Sequence, residues 1–162
     1  MLMRKRAWDI MRDDYTRVEA GSGLVSLIQV LKDAVSEDAD NHIAVVVDET
    51  GKYKGVITMW NVMRKLEQCV FSEDMLLKYS DGDWDRAFTR ACKACSDKGV
   101  DDLLEDNVPS VQPNDPLVVV VESFLKHRRG WALVREGGKV LGVVFKSDIF
   151  KEVSRDVLAQ LT

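Results

Sequence analysis

The sequence predicts a mixed α/β (α+β) protein, with two copies of a β-α-β-β-α unit packed with pseudo-twofold symmetry and a helical segment inserted between them. Three observations carry this expectation. The chain repeats itself, apolar residues fall on helical stripes at matching places, and each copy holds two short apolar runs separated by glycine. Laying Ala7–Leu24 over Val100–Leu117, a shift of 93, brings Asp9 onto Asp102, Ile10 onto Leu103, Asp13 onto Asp106, Val18 onto Val111 and Leu24 onto Leu117. Self-similarity of this kind marks a duplicated structural unit.

Each copy opens with a short extended piece, Tyr15–Glu19 and Val108–Gln112. A helix follows from about residue 23 and residue 116. Leu24, Leu27, Ile28 and Leu31 recur at i, i+3, i+4 and i+7, and Leu117, Val120, Val121 and Phe124 repeat the pattern, which is the stripe of an amphipathic helix. Ser22 and Asp115 suit the N-cap, and Pro116 suits the first turn, where a missing N–H costs nothing.

The register then slips by six. His42–Ile57 lies over Arg129–Val144, each an apolar run, a glycine turn and a second apolar run, as in a buried β-hairpin. Gly51 meets Gly138, and Gly55 meets Gly142. The slip falls in the polar stretch Asp33–Asn41, where an insertion costs little. A second helix begins near Trp60 and Ser147, with Val62, Met63 and Leu66 answered by Ile149, Phe150 and Val153. The units therefore span 7–65 and 100–152, around a segment at 66–99. In that segment Trp84, Ala87, Phe88, Ala91, Cys92 and Cys95 share one helical face, with Ser80–Asp83 as its start and Gly99 as its stop. This helix caps the module or offers a partner a docking face.

Composition narrows the function. The chain is 46% hydrophobic and 31% charged, which fits a globular protein with a real core. A net charge of −4 argues against a general nucleic-acid binder. No run approaches the roughly 20 apolar residues of a membrane span. The basic N-terminal run has no apolar signal core after it. Three cysteines, Cys69, Cys92 and Cys95, are too few for a disulfide framework, so a reduced, cytoplasmic protein is expected. Cys92-Lys-Ala-Cys95 reads either as a redox or half-zinc motif or as two small apolar residues on a helical stripe. The stripe favours the latter. Neither a GxxxxGK[ST] loop nor a GxGxxG or HExxH motif occurs, and Asp13–Asp14 and Asp101–Asp102 look like solvated turn residues. The sequence shows no catalytic machinery.

Asp9-Ile-Met11, Val45-Val-Val-Asp48, Gly51, Gly55-Val-Ile-Thr58 and Asn61 in the first copy resemble the motif series of the CBS domain, named for cystathionine β-synthase. Asp102-Leu-Leu104, Pro113-Asn-Asp-Pro-Leu117, Gly142-Val-Val144 and Ser147-Asp148 repeat it in the second. The resemblance implies a Bateman module, a non-enzymatic regulatory pair that binds an adenosine-containing ligand (AMP, ADP, ATP or S-adenosylmethionine) between its units and signals by a shape change. It also implies a homodimer and an unknown regulated protein. No cofactor is required.

Carried over by position, Asp148 contacts the ribose in one site. Asn61 and Thr58 do so in the other, with a neutral amide where the family has a carboxylate, while the Asp148 copy has Phe145 where the family has Thr. A carboxylate suits a vicinal diol because it accepts two hydrogen bonds. The N-cap role is the structural alternative for Asp148. Arg129, Arg128, His127 and His42 are the implied phosphate contacts, with a solvated helix end as the alternative for the cluster at 127–129. Met11, Tyr15 and Thr16 fall near the adenine in the Asp148 site, as do Leu104, Val108 and Pro109 in the Asn61 site. Val144 is a further backbone contact, and Tyr15 either stacks on adenine or belongs to the core. The alternative function is a dimerisation or interaction module with vestigial sites.

Overall fold

A computed structural model describes residues 4–70, 84–96 and 98–162. The expected helix start at Ser80–Asp83 lies outside the described residues. In chain order the elements are α1 (Ala7–Ile10), β1 (Arg17–Glu19), α2 (Leu24–Glu37), β2 (Ile43–Val47), β3 (Tyr53–Thr58), α3 (Met59–Cys69), α4 (Trp84–Ser96), a 3-10 turn (Asp101–Leu103), β4 (Ser110–Val111), α5 (Leu117–His127), β5 (Trp131–Glu136), β6 (Lys139–Phe145) and α6 (Lys146–Leu161). They form two three-stranded sheets, ordered β1-β2-β3 and β4-β5-β6. The fold is α+β.

Each sheet begins with a parallel pair joined through a helix. Val18 lies opposite Val46, and Val111 opposite Val134. The hairpin β5–β6 runs antiparallel from Trp131 opposite Phe145 to Glu136 opposite Lys139. Its two-residue turn, Gly137–Gly138, has φ of +58° and +79°, the positive pair that a type I′ hairpin demands. The crossover helices bury the stripes read from the sequence, Leu24, Leu27 and Leu31 in α2 and Leu117, Val120 and Phe124 in α5.

Three local expectations change. Both opening strands are shorter than their extended segments. Before β4, the Pro109 carbonyl still accepts from the Leu133 amide at 2.9 Å, but proline has no N–H to carry the ladder further. The N-caps are Gly23 and Pro116, neither of which has a side-chain acceptor, and at α5 the Asp115 carboxylate accepts from the Gln112 amide at 2.8 Å instead. The cysteines are not all thiols. Cys69 ends α3, Cys95 lies in the last turn of α4, and the two form a disulfide with Cα atoms 5.9 Å apart. Folding brings together two cysteines separated by 26 residues, which no local spacing reveals.

The packing units differ from the sequence repeats. Among the described residues, one compact unit gathers 4–15, 50–53 and 106–162, and the other gathers 16–49, 54–70, 84–96 and 98–105. Below they are the Asp148 unit and the Asn61 unit. Each has its own core. Ala7, Val111, Val120, Phe124, Ala132, Val134, Val144 and Ile149 fill the first, while Val18, Leu27, Leu31, Ala44, Val46, Ile57, Val62, Ala91 and Cys95 belong to the second. Each unit therefore takes its leading segment from the other repeat.

Candidate functional site

In the Asp148 unit, Arg12 exchanges two backbone hydrogen bonds with Val143, both at 2.9 Å, which fixes the incoming segment against β6. The approach needs Gly142, because a Cβ there would sit 2.8 Å from the Arg12 carbonyl oxygen and 2.8 Å from the Met11 sulfur. Strand β6 then ends at Phe145, the N-cap of α6, and Asp148 occupies the first helical turn. A carboxylate is favoured there by the exposed N–H groups and the helix dipole. Asp148 is not the N-cap. The Arg12 guanidinium grips it with Nε on Oδ2 at 2.8 Å and Nη2 on Oδ1 at 3.2 Å. The same guanidinium lies 4.9 Å from the centre of the Phe145 ring. A forked Arg–carboxylate pair fixes both planes, as a Lys could not. Both side chains keep some solvent contact, at 30% and 22% exposure.

The Asn61 unit repeats this geometry with different chemistry. Glu105 exchanges backbone hydrogen bonds with Val56, both at 2.9 Å, and Gly55 gives the room. Thr58 caps α3, accepting at Oγ1 from the Asn61 amide at 3.1 Å. Asn61 Oδ1 accepts from the Thr58 amide at 2.7 Å and from the Thr58 hydroxyl at 2.8 Å. Its Nδ2 donates to Glu105 Oε1 at 2.8 Å. Thr58 and Asn61 are 2% and 6% exposed, so these bonds satisfy groups that water barely reaches.

The sequence model of the CBS domain matches the chain at residues 7–68 and again at 100–155. This chain belongs to the CBS domain family. It is a tandem CBS pair. Among solved structures it is similar to the CBS domain of a CBS domain containing membrane protein from Sphaerobacter thermophilus, with a TM-score of 0.69 at 16% identity over 93% of this chain and 88% of that one. It is also similar to the CBS domain pair of protein MJ0100 in complex with 5′-methylthioadenosine and S-adenosyl-L-methionine (TM-score 0.64, 16% identity, 94% and 98% covered). The cytosolic domain of the Mg2+ channel MgtE in complex with ATP is a third (TM-score 0.65, 17% identity), of which the match covers 48% against 91% of this chain. No curated protein matches the chain.

Within the CBS pair, a second contact flanks each of the first. Lys5 Nζ meets Glu152 on α6 at 2.7 Å, and Lys65 on α3 meets Asp102 at 2.6 Å. The hydrogen bond from Lys65 holds the Asp102 carboxyl below its ordinary value, and that from Lys5 does the same for Glu152. Charges are inverted between the units. Leading segment 1–15 brings Lys5 and Arg12 to acids, whereas 101–105 brings Asp102 and Glu105 to Lys65 and Asn61. Sequence reading singled out none of Lys5, Arg12, Lys65 and Glu105. A signal was present: the shift of 93 lays Arg12 on Glu105, two residues of opposite charge directly after the D-x-M-like motif.

The remaining predicted contacts divide between the units. Met11 packs beside Gly142, and Val144 belongs to the core of the Asp148 unit. Tyr15 is a core residue, buried with its hydroxyl donating to the Val140 carbonyl at 2.7 Å. Thr16 falls in the Asn61 unit, where its carbonyl accepts from Val45. Leu104 lies against Gly55 in that unit, while Val108 and Pro109 fall in the Asp148 unit. His42 is half-buried and its carbonyl accepts from Met59 at 2.8 Å. His127 contacts the Ser123 carbonyl through a ring nitrogen at 3.0 Å, and Arg128 closes α5 in the left-handed conformation at φ +54°. The Arg129 guanidinium lies 5.8 Å from the Trp131 ring. A separate open groove of about 690 Å³ lies at the carboxyl ends of β4 and β5, between Gln112, Pro113, Asp115 and Arg135. It shares no residue with the predicted ligand contacts. Among the described residues, no cluster of three or more His, Cys, Asp or Glu is placed to hold a metal ion.

Proposed function

We propose that this CBS pair is a non-catalytic regulatory module that binds an adenosine-containing ligand (AMP, ADP, ATP or S-adenosylmethionine) at Asp148 and signals by a shift in conformation. The Arg12–Asp148 fork is the observation that carries the reading. A carboxylate has about four acceptor sites, and Arg12 uses one on each oxygen, which leaves capacity for a ribose diol. Arg12 adds a fixed guanidinium for phosphate, with Arg129 as a second. The adenosine compounds bound by the MJ0100 pair and the MgtE domain support the ligand class. The signal requires that the ligand bind one arrangement better than another. We further propose a cytoplasmic homodimer serving a regulated partner protein, with repeats at 7–65 and 100–152. No described helix is long and apolar enough to cross a membrane.

Thermal unfolding with each of the four ligands tests this. A ligand at 100 times its Kd adds about 2.7 kcal/mol to stability. Asp148→Asn keeps the shape and removes the charge, and is expected to weaken binding about tenfold or more, in line with a charge-assisted hydrogen bond. No stabilisation by any of the four at millimolar concentration sinks the reading.

One observation favours the interaction-module alternative for half of the molecule. Thr58, Asn61 and Glu105 satisfy one another, so the Asn61 position is spent on structure. A ligand stoichiometry of one per chain, lost in Asp148→Asn, agrees with a single working site.

A further inference from the structure

The disulfide Cys69–Cys95 leaves one cysteine over, and its position is informative. Cys92 stands three residues before Cys95 on α4, half-buried, and packs against the same core cluster that Cys69 and Cys95 join. On an α-helix, residues at i and i+3 share a face, with Cα atoms about 5 Å apart by the helix rise and radius. That separation lies inside the span a disulfide can bridge. Cys95 belongs to the last turn of α4, followed by the tighter Lys98 N–H to Cys95 carbonyl bond at 3.1 Å. A 3-10 bond one step earlier, from the Cys95 N–H to the Cys92 carbonyl, would bring these two side chains into line.

We propose that Cys69, Cys92 and Cys95 form a thiol–disulfide exchange site, in which Cys92 is the attacking thiol. The Cys92 thiol loses its proton to solvent, and the thiolate attacks Cys95 Sγ. A Cys92–Cys95 bond forms as the Cys69–Cys95 bond breaks. The bonding pair leaves with Cys69 Sγ, which takes a proton from solvent. One disulfide and one thiol stand on each side, so no external oxidant or reductant is consumed. The product differs in connection: α4 is linked to itself, and the end of α3 is released. Because α3 begins at the Thr58–Asn61 cap, the exchange acts on the helix that carries that contact.

The chain itself supplies the assay. Trypsin cleaves after Lys93, between Cys92 and Cys95, so each cysteine lies on its own peptide. The full chain is oxidised with glutathione disulfide, incubated between pH 6 and 8, quenched with acid, alkylated and mapped by mass spectrometry without reduction. Two bridged forms are expected, Cys69–Cys95 with Cys92 alkylated and Cys92–Cys95 with Cys69 alkylated. Their interconversion is expected to be faster at pH 8 than at pH 6, because the thiolate is the attacking species. The Cys92→Ala variant is expected to show the first form alone, and Cys69→Ala to form the Cys92–Cys95 bridge on oxidation. Cys92 found only as an alkylated thiol, or a Cys69→Ala protein that keeps two thiols or only glutathione adducts, overturns the proposal.

Discussion

Arg12 and Asp148 define the residue scale. The position of Asp148 was legible in the sequence, because the repeat lays it on Asn61 at the head of a helix. Its partner was not, since Arg12 lies 136 positions away and meets it only through the backbone pairing with Val143. Reversing one charge of such a pair sets like charges together, and reversing both restores attraction. Arg12→Glu is expected to cost about 1–2 kcal/mol in urea unfolding, and Arg12→Glu with Asp148→Arg to recover at least half of that. Absence of coupling between the two substitutions contradicts the pairing. The glycines offer a second comparison at this scale. A Cβ at Gly142 would meet backbone oxygen at 2.8 Å, whereas at Gly55 the nearest atoms stand at 3.1 Å. Gly142→Ala is expected to destabilise by about 1–3 kcal/mol, as overpacking does, and Gly55→Ala by clearly less, measured by the same unfolding curves.

Among the elements, the helices were the easiest to read, because α2 and α5 bury three residues each at the spacing of one face. Strands β1 and β4 were overestimated, since apolar content marks burial but not the ladder, and Pro109 ends one ladder early. The stripe on α4 was correct in its face and incomplete in its chemistry. Ala87, Ala91 and Cys95 are its buried members, yet Cys95 is covalently tied to α3. Closing a loop with a sequence separation of 26 restricts the unfolded chain by about 3.5 kcal/mol in the chain-entropy account. Full reduction is therefore expected to lower Tm by roughly 10 °C, scaled to a chain of 162 residues, and calorimetry with and without dithiothreitol measures it. Cys92→Ala, which spares the bridge, should keep the oxidised Tm.

For the whole molecule, the repeat was visible at once, whereas the exchange of leading segments entered only through the family resemblance, which set Met11 beside Asp148 and Leu104 beside Asn61. A shift of 93 says which residues correspond, but it says nothing about which copy a segment joins. Charge supplies the answer after the fact. Had residues 1–15 stayed with their own repeat, Lys5 would face Lys65, while Asp102 would face Glu152 in the other. The observed assignment, in which each leading segment meets opposite or neutral partners, avoids both repulsions. A chain beginning at residue 16 lacks Ala7, which is 0% exposed, along with the Arg12–Val143 pairing. That truncation is expected to destabilise the Asp148 unit by about 2–5 kcal/mol while leaving the Asn61 unit folded. Hydrogen exchange at the Val143 and Val56 amides reports the two units separately, and equal loss of protection at both contradicts the assignment.

The pairing of Arg12 with Val143 also sets a timetable. Glu105 meets Val56, which the ribosome has already made, so the Asn61 unit can close while the second copy is still being synthesised. The opposite end of the chain is less fortunate. At about 5–20 residues per second, residues 4–15 are born on the order of ten seconds before Val143 exists to receive them. Residues 4–15 thus wait for a partner made long after them, and their apolar residues, Ala7, Ile10 and Met11, must stay unaggregated through that wait.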